Sequence, residues 1–370
     1  MKLKLFFYSI LFISSIACSS PDDIAEIPLP QTKTQVFIGD DKTFYAFEGD
    51  EGSKKWSFSV ENGNFTYSSP FIANKVLYVG CTDGNLYALS IDSGKLLWKF
   101  HTNGGIESSV YVSENTVYVG STDDYFYAVN ALTGELKWKY ETGFNVSSSP
   151  VVSGQNVYFA SDDGYIYALD KDNGNLNWDY KAGSIFNSSS VAIVQDRLYI
   201  GNRDGNLYKI NKLTGELIWK KILGSSLERS SPTISEGYIY IADNYNLYKL
   251  DELTGTAAWT LRSPDHFSTS PFVNEKNVII NSASGVLMTI NKENGNYRWQ
   301  KTIYSNSAEA VAADNMVFVG GGGSRFIYAY TEEDAKIVWK YPASAITTSA
   351  PVVISKKGNI IYPSTSGGRD

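Results

Sequence analysis

Eight tryptophans stand at Trp56, Trp98, Trp138, Trp178, Trp219, Trp259, Trp299 and Trp339, and nowhere else in the 370 residues. The gaps between them are 42, 40, 40, 41, 40, 40 and 40 residues. A fixed period near 40 is the mark of a repeat architecture. In such a chain each unit is too small to bury its apolar face alone and must stack on its neighbours. That requirement restricts the fold more than any other property of the sequence.

One unit, Ser147 to Tyr180, reads SSSPVVSGQNVYFASDDGYIYALDKDNGNLNWDY. It divides into four short strands. Ser-Ser-Pro-Val-Val is the first, Asn156 to Ala160 the second, Tyr165 to Leu169 the third and Leu176 to Tyr180 the fourth. Asp163-Gly164 and Asn173-Gly174 are hairpin signals, because both pairs accept positive φ. Four antiparallel strands per 40 residues form a propeller blade. The spacing therefore predicts an all-β, eight-bladed β-propeller over residues 35–370, and an aromatic content of 14% supplies its core. A glycine precedes each tryptophan by four residues, from Gly52 to Gly295, and Ala335 departs from the pattern in the last unit. Such a glycine suits a tight turn over which the indole packs.

First-type strands begin near Tyr67, Glu107, Ser147, Asn187, Glu228, Ser268, Ala308 and Thr347. The N-terminal unit has none of its own and starts with a second-type strand, Gln35 to Gly39. The missing first strand, Ala350 to Ile354, comes from the C-terminus. One blade must then join both chain ends, which closes the ring without free inner edges. Asn359 to Tyr362 also resembles a second-type strand. Either this segment or residues 35–39 completes the mixed blade, and the other lies at its margin.

Before the repeats, Lys2 and Lys4 precede an apolar stretch from Leu5 to Ala17, the pattern of a signal peptide. Ser15-Ile16-Ala17-Cys18 resembles a lipobox, with serine where leucine is usual, and marks Cys18 for lipidation. Residues 1–17 are expected to be the signal peptide and 18–34 a lipidated tether with Pro21, Pro28 and Pro30. Ser19 resembles the outer-membrane sorting pattern, and Asp22-Asp23 resembles a cell-surface export signal. Cys81 would then have no disulfide partner. The net charge of −7 argues against nucleic acid as a partner.

The reactive side chains each have an architectural explanation beside a functional one. Serine pairs open the first strands, from Ser68-Ser69 to Ser230-Ser231, and small polar groups fit where inner strands crowd the axis. A nucleophile would need a base, and His101 and His266 are the two histidines. Asp40, Asp41, Asp83, Asp123, Asp124, Asp162, Asp163, Asp204 and Asp243 fall in hairpins between second and third strands, as turn chemistry or as a calcium or partner site. The loops between blades carry apolar residues at Phe65, Ile106, Val146, Phe186, Leu227, Phe267 and Ile346, and Ser307 breaks the series. These residues form an exposed protein-binding ring or tuck against the neighbouring blade. Gly320 to Gly323 has no following Lys-Ser/Thr pair and reads as a hairpin loop.

Leu77 to Phe100 (LYVGCTDGNLYALSIDSGKLLWKF) and Val117 to Tyr140 (VYVGSTDDYFYAVNALTGELKWKY) resemble the PQQ-type β-propeller repeat with its tryptophan-docking motif. The resemblance covers about residues 35 to 364. Quinoprotein dehydrogenases of this repeat carry a vicinal cysteine pair beside the quinone and calcium; no such pair occurs here, so neither cofactor nor metal is expected. Lipobox, eight repeats and the lack of a catalytic set are similar to the outer-membrane assembly lipoproteins. That resemblance implies a non-enzymatic scaffold, a monomer within a complex, binding an outer-membrane or envelope protein such as a barrel assembly protein. It also implies partner contact through adjacent loops, here Leu227-Glu228-Arg229 and Asp265, to which the apolar residues Phe186 and Phe267 add. The alternatives are a surface glycan- or ligand-binding lipoprotein, suggested by 26 tyrosines, and a quinoprotein-type enzyme.

Overall fold

The computed structural model describes residues 33–65, 67–186, 189–227, 229–303, 308–343 and 349–363. Within them lie eight antiparallel sheets, seven of four strands and one of five. Inner strands of successive blades lie side by side around the ring, making an eight-bladed propeller. The blades are numbered here in order of their tryptophans, so that blade 1 holds Trp56 and blade 8 holds Trp339.

Blade 4 shows how the sequence builds each unit. Its strands are Val151–Ser153, Asn156–Ala160, Tyr165–Asp170 and Leu176–Lys181, from the axis outwards. The two middle strands are covered on both faces by neighbouring blades, so they read as nearly continuous apolar runs. The outer strand alternates exposed and half-buried residues because only one face meets a neighbour. The inner strand is shorter than the sequence suggests and starts after the serine pair. Pro150 offers no N–H to a ladder, and the Ser149 amide bonds sideways to the next blade.

The five-stranded sheet is blade 1. Gln35–Gly39 pairs with Thr43–Glu48 on one side and with Val352–Ile354 on the other. The N-terminal strand therefore completes the mixed blade. Ile360–Ile361 adds to the inner edge of Val352–Ile354 as a fifth strand. Tyr362 continues from it to blade 2, where its hydroxyl donates to Ile72 O at 2.8 Å and its ring meets Phe71 at 5.1 Å. At Gly322–Ser324 the hairpin of blade 8 holds one 3-10 turn.

The tryptophans join the blades. Trp138 Nε1 donates to Lys171 O of blade 4 at 3.1 Å, and its ring covers Gly174. Trp56, Trp98, Trp178, Trp259 and Trp299 make the same bond to Ile91, Ala131, Lys212, Lys292 and Glu332. Trp339 reaches Gly49 O at 2.5 Å, which carries the series across the chain ends.

Candidate docking face and the groups that build it

The hairpins between second and third strands and the loops between blades share one face of the disc. The chain enters from the other. Thr34 O accepts from Gly49 N, and Thr34 Oγ1 donates to Asp314, both among turns of the opposite face. The loop face is thus opposite the side on which Thr34 sits. Cys18 and Asp22-Asp23 lie outside the described residues, as do Glu228, Ser307 and Ile346.

The apolar loop residues do not form an exposed ring. Phe65, Ile106, Val146, Phe186 and Leu227 are fully buried or nearly so, and Phe267 is 5% exposed. Each wedges between two blades. Leu227 sits against Gly201, which ends the second strand of blade 5, and packs with Ile241 and Tyr248 of blade 6. Its amide donates to Asn202 O at 3.0 Å. Phe186 packs against Ala160 and Ile200 in the seam of blades 4 and 5. This burial corrects the expectation that Phe186, Leu227 and Phe267 belong to an exposed apolar ring. A sequence signal was present: Gly39, Gly80, Gly120, Ala160 and Gly201 each precede the wedge residue by twenty-six positions. A small residue opposite a large apolar one marks a close packing pair.

Arg229 is exposed on this face, beside the buried serine pair of blade 6. Tyr67 and Phe144 project there too, at 60% and 55% exposure. Asp265 is engaged within the fold. In blades 3 and 4 the hairpin carboxylates of Asp123 and Asp163 accept from the loop amides of Asn103 and Gly143. Blade 7 carries Ser284 at that hairpin position, and the loop supplies the acid instead: Asp265 Oδ2 accepts from Ser284 N and Oδ1 from His266 N, each at 2.9 Å. Burial alone would raise this carboxyl, but hydrogen bonds from the side chains of Ser284 and Ser282 and from those amides outweigh it and hold it at about 2.

The other hairpin acids are turn builders. Asp83 Oδ1 accepts from Asn85 N, and Oδ2 takes the Tyr87 hydroxyl at 2.6 Å. Asp123 with Tyr127, Asp163 with Tyr167 and Asp243 with Tyr248 repeat the pair. Burial first, and then the adjacent carboxylate, pushes these phenols up. Among the described residues no three His, Cys, Asp or Glu side chains cluster as a metal site. The large buried tyrosines Tyr118, Tyr158 and Tyr199 face neighbouring blades, so much of the tyrosine content is core and not a sugar-stacking surface.

The serines form a belt near the axis. Ser69 N donates to Ser109 Oγ of the next blade, and the same step repeats through Ser149, Ser190, Ser231 and Ser270. Blade 8 contributes the Glu309 carboxylate to Ser270 N. The first serine of a pair caps its own blade, as Ser148 does with Ala160 N. These hydroxyls are structural donors and acceptors. Cys81 is buried, and burial pushes its thiol up to about 12, far from a reactive thiolate.

One seam departs from the regular docking. In blade 5, Lys209 replaces the small residue that faces the tryptophan in blades 1 to 4. Its buried ammonium donates to Glu252 O at 2.8 Å and lies 3.1 Å from the Glu252 carboxylate. Tyr199 donates to that carboxylate, and Arg197 is 3.4 Å away. Trp219 Nε1 is left without a hydrogen-bond partner. Lys209 thus holds the carbonyl that an indole holds elsewhere, whereas in blade 6 Lys249 and Trp259 share Lys292 O.

Repeated blades, indole docking and a ring closed by both chain ends define a β-propeller of PQQ-like repeats. The chain belongs to the family described as the beta-alanine-activating enzyme β-propeller, whose model matches residues 24–298. Among curated proteins it is similar to the outer membrane protein assembly factor BamB of Marinobacter adhaerens, at 26% identity over 99 residues. That match spans 25% of this chain and only 22% of the relative's length. Among solved structures it is similar to BamB from Moraxella catarrhalis, with a TM-score of 0.67 and 18% identity over 79% of this chain and 89% of that one. The computationally designed Ika8 protein matches with a TM-score of 0.69 and 15% identity, over 82% and 97%. At these identities the structural likeness concerns the fold.

Proposed function

We propose that this chain is a non-enzymatic propeller scaffold, lipid-anchored through Cys18 at the outer membrane, that binds an envelope protein in the manner of an assembly factor. A barrel assembly protein is the foremost partner. The observation that carries this reading is how the reactive groups are used. Serine hydroxyls, hairpin carboxylates and their tyrosine partners are engaged in holding blades together, which suits a protein whose product is a rigid surface. The fold shared with BamB points the same way. Quinone chemistry has no support from the cysteines, since Cys81 is buried and its thiol is raised by that burial.

The partner face in this reading is the loop face, opposite the side where the chain enters. Its exposed anchors are Tyr67, Phe144 and Arg229. Exposed aromatic and arginine side chains make the largest contributions at protein interfaces. Affinity capture of the anchored protein from detergent-solubilised envelopes tests the proposal. Wild-type protein is expected to enrich an outer-membrane assembly component, and Arg229→Glu to reduce its yield several-fold. Capture that enriches no envelope protein ends the scaffold reading. Unchanged capture by Arg229→Glu removes that loop from the interface.

A further inference from the structure

The outermost strand of each blade leaves alternate backbone N–H and C=O groups without a strand partner. Together the eight outer strands hold twelve lysines and arginines and two acids, a basic rim on an acidic chain. Charge at an edge opposes the pairing of another strand. The outward face consists of the residues before, after and three beyond the tryptophan. In blade 1 these are Lys55, Ser57 and Ser59; in blade 3, Lys137, Lys139 and Glu141; in blade 7, Arg298, Gln300 and Thr302.

Leu97, Ala258 and Val338 make the first of these positions apolar in blades 2, 6 and 8, but blade 5 alone also carries an exposed aliphatic residue at the last. Its outward face is Ile218, Lys220 and Ile222, and the two isoleucines are 49% and 71% exposed. The position three beyond the tryptophan is polar or proline in every other blade: Ser59, His101, Glu141, Lys181, Arg262, Thr302 and Pro342. Leu217 on the same strand is also exposed, as are Leu96, Leu136, Leu176 and Ile337 at the same position of other blades, so the distinction of blade 5 rests on Ile222. Lys221 donates to Gly255 O of blade 6, whereas among the described residues no acid pairs with Lys220. The strip is therefore apolar, cationic and apolar along an open backbone edge.

We propose that the outer edge of blade 5, Leu217–Ile222, receives an extended segment of an acidic protein as a fifth strand. Backbone hydrogen bonds would hold the segment, with apolar residues opposite Ile218 and Ile222 and a carboxylate opposite Lys220. Charge complementarity selects the acid, and the period-two face selects its spacing from the apolar residues. Blade 5 lies across the ring from blade 1, where the described residues begin. The inference does not depend on a role in outer-membrane assembly.

The probe is a fluorescein-labelled nonapeptide with valine, valine, glutamate, valine and valine at alternate positions and threonine between them. Fluorescence anisotropy with the mature chain is expected to show saturable binding. Ile218→Lys/Ile222→Lys is expected to weaken it at least tenfold; lysine stands at the equivalent outward positions in blades 3 and 4, so the fold tolerates it. Lys220→Glu is expected to reverse the preference, towards a peptide with central lysine. Absence of saturable binding by the wild type, or no reversal with Lys220→Glu, overturns the proposal. So does a concentration-dependent dimer, or binding to phosphatidylglycerol vesicles, that the paired isoleucine change abolishes while the peptide does not bind. Those results assign the strip to a second copy or to a lipid surface.

Discussion

A glycine beneath an indole fixes the outer corner of a blade. Gly174 has φ of +75°, and a Cβ added there would lie 2.6 Å from Cε3 of Trp138. Both the backbone angle and the close approach require the missing side chain. Ala335 occupies the same corner beneath Trp299 and holds φ of +54°. A left-handed conformation costs a non-glycine residue about 1–2 kcal/mol. Ala335→Gly should therefore stabilise the protein by about 0.5–1 kcal/mol, after allowing for the added freedom of glycine in the unfolded chain. Gly174→Ala should destabilise it by about 2 kcal/mol, the sum of strain and overpacking. Urea denaturation of the two variants measures both signs. A loss of stability in Ala335→Gly would mean that the alanine methyl contributes more in its contact with Trp299 than its backbone strain removes.

At the scale of the element, loops and hairpins of adjacent blades are fastened by one accepting carboxylate, which either element can supply. Asp163 performs this from the hairpin of blade 4, and Asp265 from the loop before blade 7. The folded carboxyl sits at about 2, below an ordinary aspartate near 3.9. A depressed pKa contributes stability above the unfolded value, and that contribution is lost as pH falls through the folded one. Asp265→Asn should thus be less stable than wild type by a constant amount above about pH 5. The two midpoints should converge between about pH 4 and pH 2. Denaturation midpoints across that range check the sign; a gap that widens on acidification would contradict it. This swap also marks where sequence reading stopped. Strand positions and blade number were legible because turns and indoles recur at fixed spacing. The role of Asp265 was not, because it depends on Ser284 standing where other hairpins carry an acid. Leu227 and Phe186 posed a similar ambiguity, since an apolar loop residue reads alike whether it projects or wedges. The Lys209–Glu252 pair was equally hidden, because its members lie 43 residues apart on neighbouring blades.

At the scale of the whole molecule, a ring cut once by its own termini is only as strong as the seam that rejoins them. Three residue pairs link Gln35–Gly39 to Val352–Ile354, between Gln35 and Ile354, Val36 and Val353, and Phe37 and Val352. The Trp339 bond to Gly49 O and the Lys356 ion pair with Asp50 at 2.9 Å reinforce them from outside. From inside, the fifth strand ties the seam to blade 2 through Tyr362. Its hydroxyl bonds Ile72 O, and its ring packs on Phe71. Loss of a hydrogen bond costs about 1 kcal/mol, and loss of a half-buried aromatic ring about as much again. Tyr362→Phe is therefore expected to weaken the seam by about 1 kcal/mol and Tyr362→Ala by about 2 kcal/mol. A large repeat fold can open locally before it unfolds globally, so the thermal midpoint alone is a poor reporter. Hydrogen exchange resolves the matter. Faster exchange should appear at the amides of Gln35–Gly39 and Val352–Ile354, in the order Ala, Phe, wild type, while blades 3 to 5 stay protected. Uniform acceleration around the ring would show that the seam is not the weakest point. Unchanged exchange at blade 1 would show that the fifth strand lines the axis without helping to close it.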